Sequence, residues 1–373
     1  MSALTSAKTA TASKPGTAGG VPLIPACAKG NTAAVLAYLA AGGDPAYCNP
    51  HGITGLMALG FPCPDPQPPS DAKATIVQPL VEAGANVDAV ATWGQNPPNQ
   101  TALHVAASTG MAQLVAALID VGGAKVDVVD GKGQTPLLRA TMDHHVNVVD
   151  VLLSRGADPS LANVDGCSPL IVLAEPMPEK STAPVSVNPV THIAEALLRA
   201  GATADAVDCN GLTALHAAAL YGNVDLLTAL LASAGANPNI RTVDEEQRTP
   251  LMLAMLSPAA RPSPCSVSEP DQIAMVRLLA KAGASLSPSL VDAHGLNART
   301  LGERAGRGHL GVLLELAKLR EEVGEEEEED LDLEDPIEDQ MIEDQMIQLC
   351  AQREAENRRV GRNEDPDAVR EII

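Results

Sequence analysis

The sequence predicts an all-α solenoid of stacked helix-turn-helix units with β-hairpin-like fingers, followed by an acidic tail and a C-terminal helix. Three observations predict it. A unit of 33–34 residues recurs through most of the 373-residue chain, and repeats of that length build arrays in which each copy stacks on its neighbours. The apolar fraction is 45% but aromatics reach only 1%. Most cores draw large buried areas from aromatic rings, so a core of Ala, Leu and Val suits thin, closely packed layers. Finally, Thr-Pro pairs open apolar runs and Gly-Ala pairs close them, which is the expected asymmetry of helix ends.

In chain order, residues 1–19 are expected to be a disordered lead-in. They are rich in Ala, Ser and Thr, lack the apolar run of a secretory signal and are short for an organelle transit peptide. The array is expected over residues 20–319. Its clearest copy runs Asp208-Cys209-Asn210-Gly211-Leu212-Thr213-Ala214-Leu215-His216-Ala217-Ala218-Ala219, passes Tyr221-Gly222-Asn223-Val224 and Leu230-Leu231, and closes with Gly235-Ala236-Asn237-Pro238-Asn239. Thr101-Ala102-Leu103-His104-Val105-Ala106-Ala107 with Gly110 is a second copy, and Asp130 to Asp158 a third. The central leucines are Leu23, Leu56, Leu103, Leu137, Leu170, Leu215, Leu251 and Leu301, at spacings of 33, 47, 34, 33, 45, 36 and 50.

Each unit has a physical rationale. Thr135 offers a hydroxyl at a helix N-cap, and Pro136 sits where its missing N–H costs nothing. Leu and Ala follow at helical spacing. Gly110 and Gly222 end the first helix, where a left-handed residue is wanted. A second apolar helix such as Val148-Val149-Val151-Leu152-Leu153 follows. Asp130-Gly131 and Asn210-Gly211 predict hairpin turns at the finger tips. No unit buries its apolar faces alone, so the copies must stack. These motifs, T-P-L-H-x-A-A with a later G-A-x-x-N or G-A-x-x-D, resemble the ankyrin-repeat family over about eight copies.

Three copies are lengthened between their two helices by Pro/Ser-rich insertions near 61–70, 175–190 and 257–270. Proline bars these from helix interior, and tolerated surface loops are the simplest role for them. A shorter insertion, Ala91 to Gln100, lengthens one finger and carries the only Trp, Trp93. The outermost copies are atypical: Pro25 falls within the first helix of one, and Arg299-Thr300-Leu301-Gly302 replaces the tetrad of the other. Terminal copies, exposed on one side, are expected to differ.

Composition excludes several functions. The net charge is −22, and residues 321–346 alone hold 15 acidic side chains and no basic ones. Without a basic stripe the chain is a poor nucleic-acid binder. The seven cysteines are scattered, odd in number and contain no C-x-x-C pair, so free thiols are expected. No run nears the length of a membrane-spanning helix. His144-His145 lacks further ligands at metal spacing. Gly131-Lys132-Gly133-Gln134-Thr135 lacks the spacing of a phosphate loop. No catalytic constellation stands out; neither a cofactor, a metal nor a small-molecule substrate is expected.

The resemblance implies that partners bind through finger tips and the exposed side of the first helices, which line a concave groove. Counted along the tetrad, the candidates are Val105, Arg139, Met142, Asp143, Leu220, Tyr221, Leu253 and Leu256, with Trp93 on a neighbouring finger. Trp, Tyr and Arg are enriched as binding hot spots, and contiguous exposed apolar side chains mark interaction surfaces. The competing expectation is that the leucines belong to the core between copies.

Residues 320–335 form an acidic linker that should stay solvated. Asp335-Pro336-Ile337-Glu338 then predicts a helix start, with a helix over 336–360 and a disordered end at 361–373. The expected function is a cytoplasmic scaffold or adaptor holding one or more proteins. A regulatory or targeting subunit of an enzyme, or a shield for a basic protein using the acidic tail, is the alternative.

Overall fold

A computed structural model of the chain describes residues 17–18, 21–62, 70–91, 99–175, 188–232, 236–244, 246–256, 269–285, 287 and 289–305. Trp93, the middles of the three insertions, the N-terminal lead-in before Thr17, the acidic linker and the expected C-terminal helix lie outside these residues. Among the described residues the regular elements are helices, apart from two paired two-residue strands, β1 (Thr17–Ala18) and β2 (Val21–Pro22), and two isolated bridges.

By its packing the chain divides into two compact units, residues 1–173 with 177–203, and residues 204–373 with 174–176. The first unit holds α1 (Leu23–Ala28), α2 (Thr32–Ala40), α3 (Gly55–Leu59), α4 (Ser70–Ala74), α5 (Val77–Glu82), α6 (Ala102–Ser108), α7 (Ala112–Asp120), α8 (Pro136–Met142), α9 (Val146–Ser154), α10 (Pro169–Val172) and α11 (Pro189–Arg199). Its first helices stack in order, α1 on α3, α3 on α6, α6 on α8 and α8 on α10; the second helices form the other layer, α5 on α7, α7 on α9 and α9 on α11. The second unit repeats the plan with α12 (Ala214–Tyr221), α13 (Val224–Ala232), α14 (Pro250–Met255), α15 (Glu269–Lys281) and α16 (Ala298–Arg304), α12 packing on α14, α14 on α16 and α13 on α15.

The anchor leucines fill the space between layers. Leu23, Leu56, Leu103, Leu137, Leu170, Leu215, Leu251 and Leu301 are all buried, each burial contributing about 1.5–3 kcal/mol. Alanines on the same helices, such as Ala106, Ala107, Ala140, Ala217 and Ala218, are buried as well and let the helices approach closely. Cys27 joins this core, where burial pushes its thiol up to about 12.

Helix starts follow the expected chemistry. Thr135 Oγ1 accepts from Leu138 N at 3.2 Å, Thr249 Oγ1 from Met252 N at 3.3 Å and Thr54 Oγ1 from Met57 N at 3.3 Å. In α6 and α12 a histidine stands at the third helical position. His216 Nδ1 accepts from Thr213 N at 3.3 Å, while its Nε2 donates to the carbonyls of Ile240 and Arg248, both at 3.1 Å. His104 does the same, with Thr101 N at 3.3 Å and Gln134 O at 2.9 Å. One ring thus closes a helix end and ties it to the next finger. Burial holds both rings' pKa values below the usual range, opposed by the backbone hydrogen bonds.

The fingers share one turn, which differs from the expected Asp-Gly hairpin. In the finger of α8, Asp130 Oδ1 accepts from Lys132 N at 2.8 Å and Gln134 N at 3.0 Å, and Asp130 N donates to Gln134 O at 3.0 Å. The left-handed residue is Gly133, at φ +69°, three positions after the aspartate, rather than Gly131. Asn49, Asn163, Asp208 and Asp292 build the same turn. The Asx side chain, which caps its own turn, sets the geometry, and the glycine follows from it. Neighbouring fingers join directly, Val164 N donating to Lys132 O at 3.1 Å in the first unit and Ala293 N to Glu246 O at 3.0 Å in the second.

Candidate functional site

The groove candidates occupy equivalent positions on the first helices, but the structure does not expose all of them. Val105 on α6 is 6% exposed. A Cβ at Gly60, just past α3, would lie 2.7 Å from Val105 Cγ1, so the end of the preceding helix covers that valine. Leu253 and Leu256, in and just after α14, are 6% and 8% exposed. Beside them the buried Gln272 of α15 donates to the carbonyls of Ala254 and Leu256, both at 3.3 Å. These three residues belong to the core between helices rather than to a free surface. Counting faces on one helix misplaced them, because in a thin stack the adjacent helix covers part of the nominal outer face.

The other described candidates stay accessible. In the first unit Arg139 and Met142 are half-buried on α8, and Asp143, its C-cap, is exposed. Gln134 Nε2 lies 3.5 Å from Met142 Sδ, so the base of the finger meets the end of the helix. Partial burial raises the Asp143 carboxyl pKa, against the lowering effects of His145, Arg139 and His144. In the second unit Leu220 and Tyr221 are half-buried at the end of α12, immediately before the left-handed Gly222 at φ +79°.

The slot between α8 and α9 is unusual. Where other copies place Gly110 (φ +74°) or Gly222, this copy places His144 at φ +55°. A non-glycine residue there carries strain. His144 Nδ1 hydrogen-bonds Met142 O at 3.1 Å, and burial lowers its pKa. His145 reaches back, Nε2 to Ser108 O at 3.0 Å, in the place a Cβ on Gly110 would need. Among the described residues no group of three His, Cys, Asp or Glu is placed to hold a metal ion.

One set of residues escaped the face count. Of the exposed large apolar side chains, Val90, Val129, Val164, Val207 and Val243 all lie on fingers, at exposures from 46% to 77%. Each sits immediately beside the first residue of a finger turn or bridge, namely Ala91, Asp130, Asn163, Asp208 or Thr242. A β-branched residue beside that position was the available signal. These valines extend the candidate surface from the helix ends to the fingers within each unit. No helix among the described residues is long and apolar enough to cross a membrane.

The family comparison agrees with this architecture. A family model described as ankyrin repeats (3 copies) matches residues 70–163 and again 185–289. Neurogenic locus notch homolog protein 1 of Xenopus tropicalis is 31% identical over 211 residues, which are 55% of this chain and 8% of that protein. The E3 ubiquitin-protein ligase KEG of Arabidopsis thaliana is 32% identical over 142 residues, 38% of this chain and 8% of its own length. Rabankyrin-5 of Mus musculus is 29% identical over 185 residues, 47% of this chain and 15% of its length. The matches thus span a small fraction of each of these relatives. Among solved structures, the ankyrin repeat domain of Bcl-3 aligns at TM-score 0.48 and 26% identity, covering 63% of this chain and 94% of that one.

Proposed function

Since this chain belongs to the ankyrin-repeat family, whose repeats are protein–protein interaction modules, we propose that it is a scaffold or adaptor. It holds a partner protein against the ends of its first helices and the adjoining fingers. Half-exposed Met142 and Arg139 in one unit, and Leu220 and Tyr221 in the other, support this reading. Side chains of these types at a solvent-facing helix end favour binding over mere solvation. The finger valines continue the same surfaces. Asp143 at the rim adds a charge that steers and orients more than it binds. Enzymatic activity forms no part of this reading.

The test is co-purification from native extract with three chains: the full chain, Met142→Asp and Tyr221→Asp. A specific partner is expected with the full chain and is expected to be lost from at least one variant, with far-UV circular dichroism unchanged. Both variants retaining the partner would refute the assignment of the surface. A fourth chain, ending at Leu319, separates the acidic tail: a partner lost with the tail, in a salt-dependent manner, would favour the shield for a basic protein instead.

A further inference from the structure

Resting on the protein-binding reading above, we infer that three consecutive fingers of the first unit form a ladder, with Val90, Val129 and Ala162 as rungs. It takes an extended segment of the partner that has an apolar side chain at every third position and Lys or Arg between.

The ladder is set by a bond that repeats. Lys125 N donates to Asp88 Oδ1 at 3.2 Å, and Asp158 N donates to Asp127 Oδ1 at 3.1 Å. Lys125 and Asp158 each follow the alanine that closes a Gly-Ala pattern or its variant, so they hold one register position. Asp88 and Asp127 hold another, and Val90 and Val129 stand two residues after them. The third finger has Ser160 and Ala162 in those places. A bond repeated residue for residue sets the third finger against the second as the second is set against the first. Val90 and Val129 are 50% and 52% exposed, and Ala162 is exposed as well. Along the second finger Asp127 and Val129 are exposed, while Val128 is half-buried and Asp130 buried. That alternation places the aspartate and the valine on one side of an extended strand.

Rung spacing selects the period of the occupant. These fingers lead into α6, α8 and α10, which stack in that order. Packed helices lie about 8–10 Å apart. An extended chain rises about 3.3 Å per residue, so three residues span about 10 Å, two about 7 Å and four about 13 Å. A segment crossing the fingers therefore meets successive rungs with every third side chain. Exposed apolar side chains set side by side mark such contacts.

Charge selects its sign. Apart from the buried Asp130, the charged residues of the three fingers are Asp88, Asp127, Asp158 and Asp165 against Lys125 and Lys132. None of the six forms an ion pair among the described residues. Asp88 and Asp127 each spend one carboxylate oxygen on the neighbouring finger and keep the other beside a rung. Lys or Arg complements them, and its methylene stem lies along the valines. Acidic residues in the same places would be repelled.

The probe is the peptide acetyl-Val-Lys-Ser-Val-Lys-Ser-Val-amide. Its controls are the analogue with Glu for Lys and the isomer acetyl-Val-Ser-Val-Ser-Val-Lys-Lys-amide, which has the same composition at period two. Each is titrated into the full chain while valine methyl groups are followed by NMR; the rung signals are those lost in Val90→Ala and Val129→Ala. The first peptide is expected to move both rungs saturably and to bind more weakly as salt rises. Both controls are expected to bind about fivefold more weakly or worse, the worth of an exposed ion pair or of one rung left bare. The Asp127→Ser/Val129→Ala double variant copies Ser160 and Ala162 of the next finger. It is expected to keep its far-UV circular dichroism and to weaken the first peptide about fivefold or more. No saturable shift, equal binding of either control, or undiminished binding by the double variant would each overturn the inference. A natural partner lost from Met142→Asp but kept by the double variant would retain the scaffold reading and remove this one.

Discussion

The packing of one finger on the next yields a quantitative prediction for Gly211→Ala. Gly211 has φ +73°, a region where an alanine costs about 1–2 kcal/mol. The added methyl would also lie 2.4 Å from both Cβ and backbone N of Val243, and 2.7 Å from Val243 Cγ2. Carbon atoms rest at about 3.5–4.0 Å, so the overlap exceeds 1 Å and is partly with main chain, which cannot rotate away. Overpacking of this kind costs about 1–3 kcal/mol more. Gly156 is the control: φ is +81° and nothing lies within 4 Å of its would-be Cβ. Gly156→Ala therefore carries the backbone term alone, and the reduced freedom of the unfolded chain offsets part of it equally in both variants. Gly211→Ala should exceed Gly156→Ala by about 1–3 kcal/mol in urea unfolding followed by circular dichroism. Faster hydrogen exchange at Leu212 N, which is bound to Asp208 Oδ1 at 2.8 Å, should locate the damage. Equal losses for the two substitutions would show that the fingers do not press on each other as described.

Three further outcomes follow from the geometry of the array. Burial lowers the pKa of His104 and His216 below 6.5 in the folded chain; the unfolded chain then binds more protons in that range, so the stabilisation is complete above pH 6.5 and lost as pH falls below it. Urea midpoints at pH 7 and pH 5 should differ more for the natural chain than for the His104→Leu/His216→Met double variant, which copies Leu138 and Met252 of neighbouring copies; unchanged pH dependence would count against neutral buried rings. Thr135→Ala removes the bond from Leu138 N and should cost about 1 kcal/mol, whereas Arg155→Ala, though it breaks a bidentate pair with the half-exposed Asp120 at 2.7–2.9 Å, should cost less than about 1 kcal/mol and fade with salt.

The repeat made the fold legible. Thr-Pro at the helix start and Gly at the helix end each have one physical job, and Thr135 and Gly222 perform it as expected. The anchor leucines needed only periodicity to be placed in the core. The finger turn was half legible: the Asp-Gly pair marks the turn, but the Asp130 side chain selects Gly133, not the adjacent Gly131, for the left-handed position. The surface was harder. Val105, Leu253 and Leu256 lie on the nominal outer face of their helices, yet their exposure is set by Gly60 and by α15, residues distant in sequence. Gln134 resembles an ordinary polar residue before a cap until its neighbours are known. His144 stands out in the sequence only as half of a His-His pair; the fold places it at the left-handed position that glycine fills elsewhere.

Histidines at the third helical position have a consequence for how the array comes apart. His104 and His216 each stitch a helix start to the finger that follows, whereas Leu138, Ile171 and Met252 hold the same post without a polar thread. Each unit therefore holds seams of two grades, some sewn and some merely pressed together. In a nearest-neighbour stack, openings propagate from the weakest joint. Fraying should thus respect a pattern written at a single position per copy, and exchanging leucine for histidine there would shift the tear lines without touching either layer of helices.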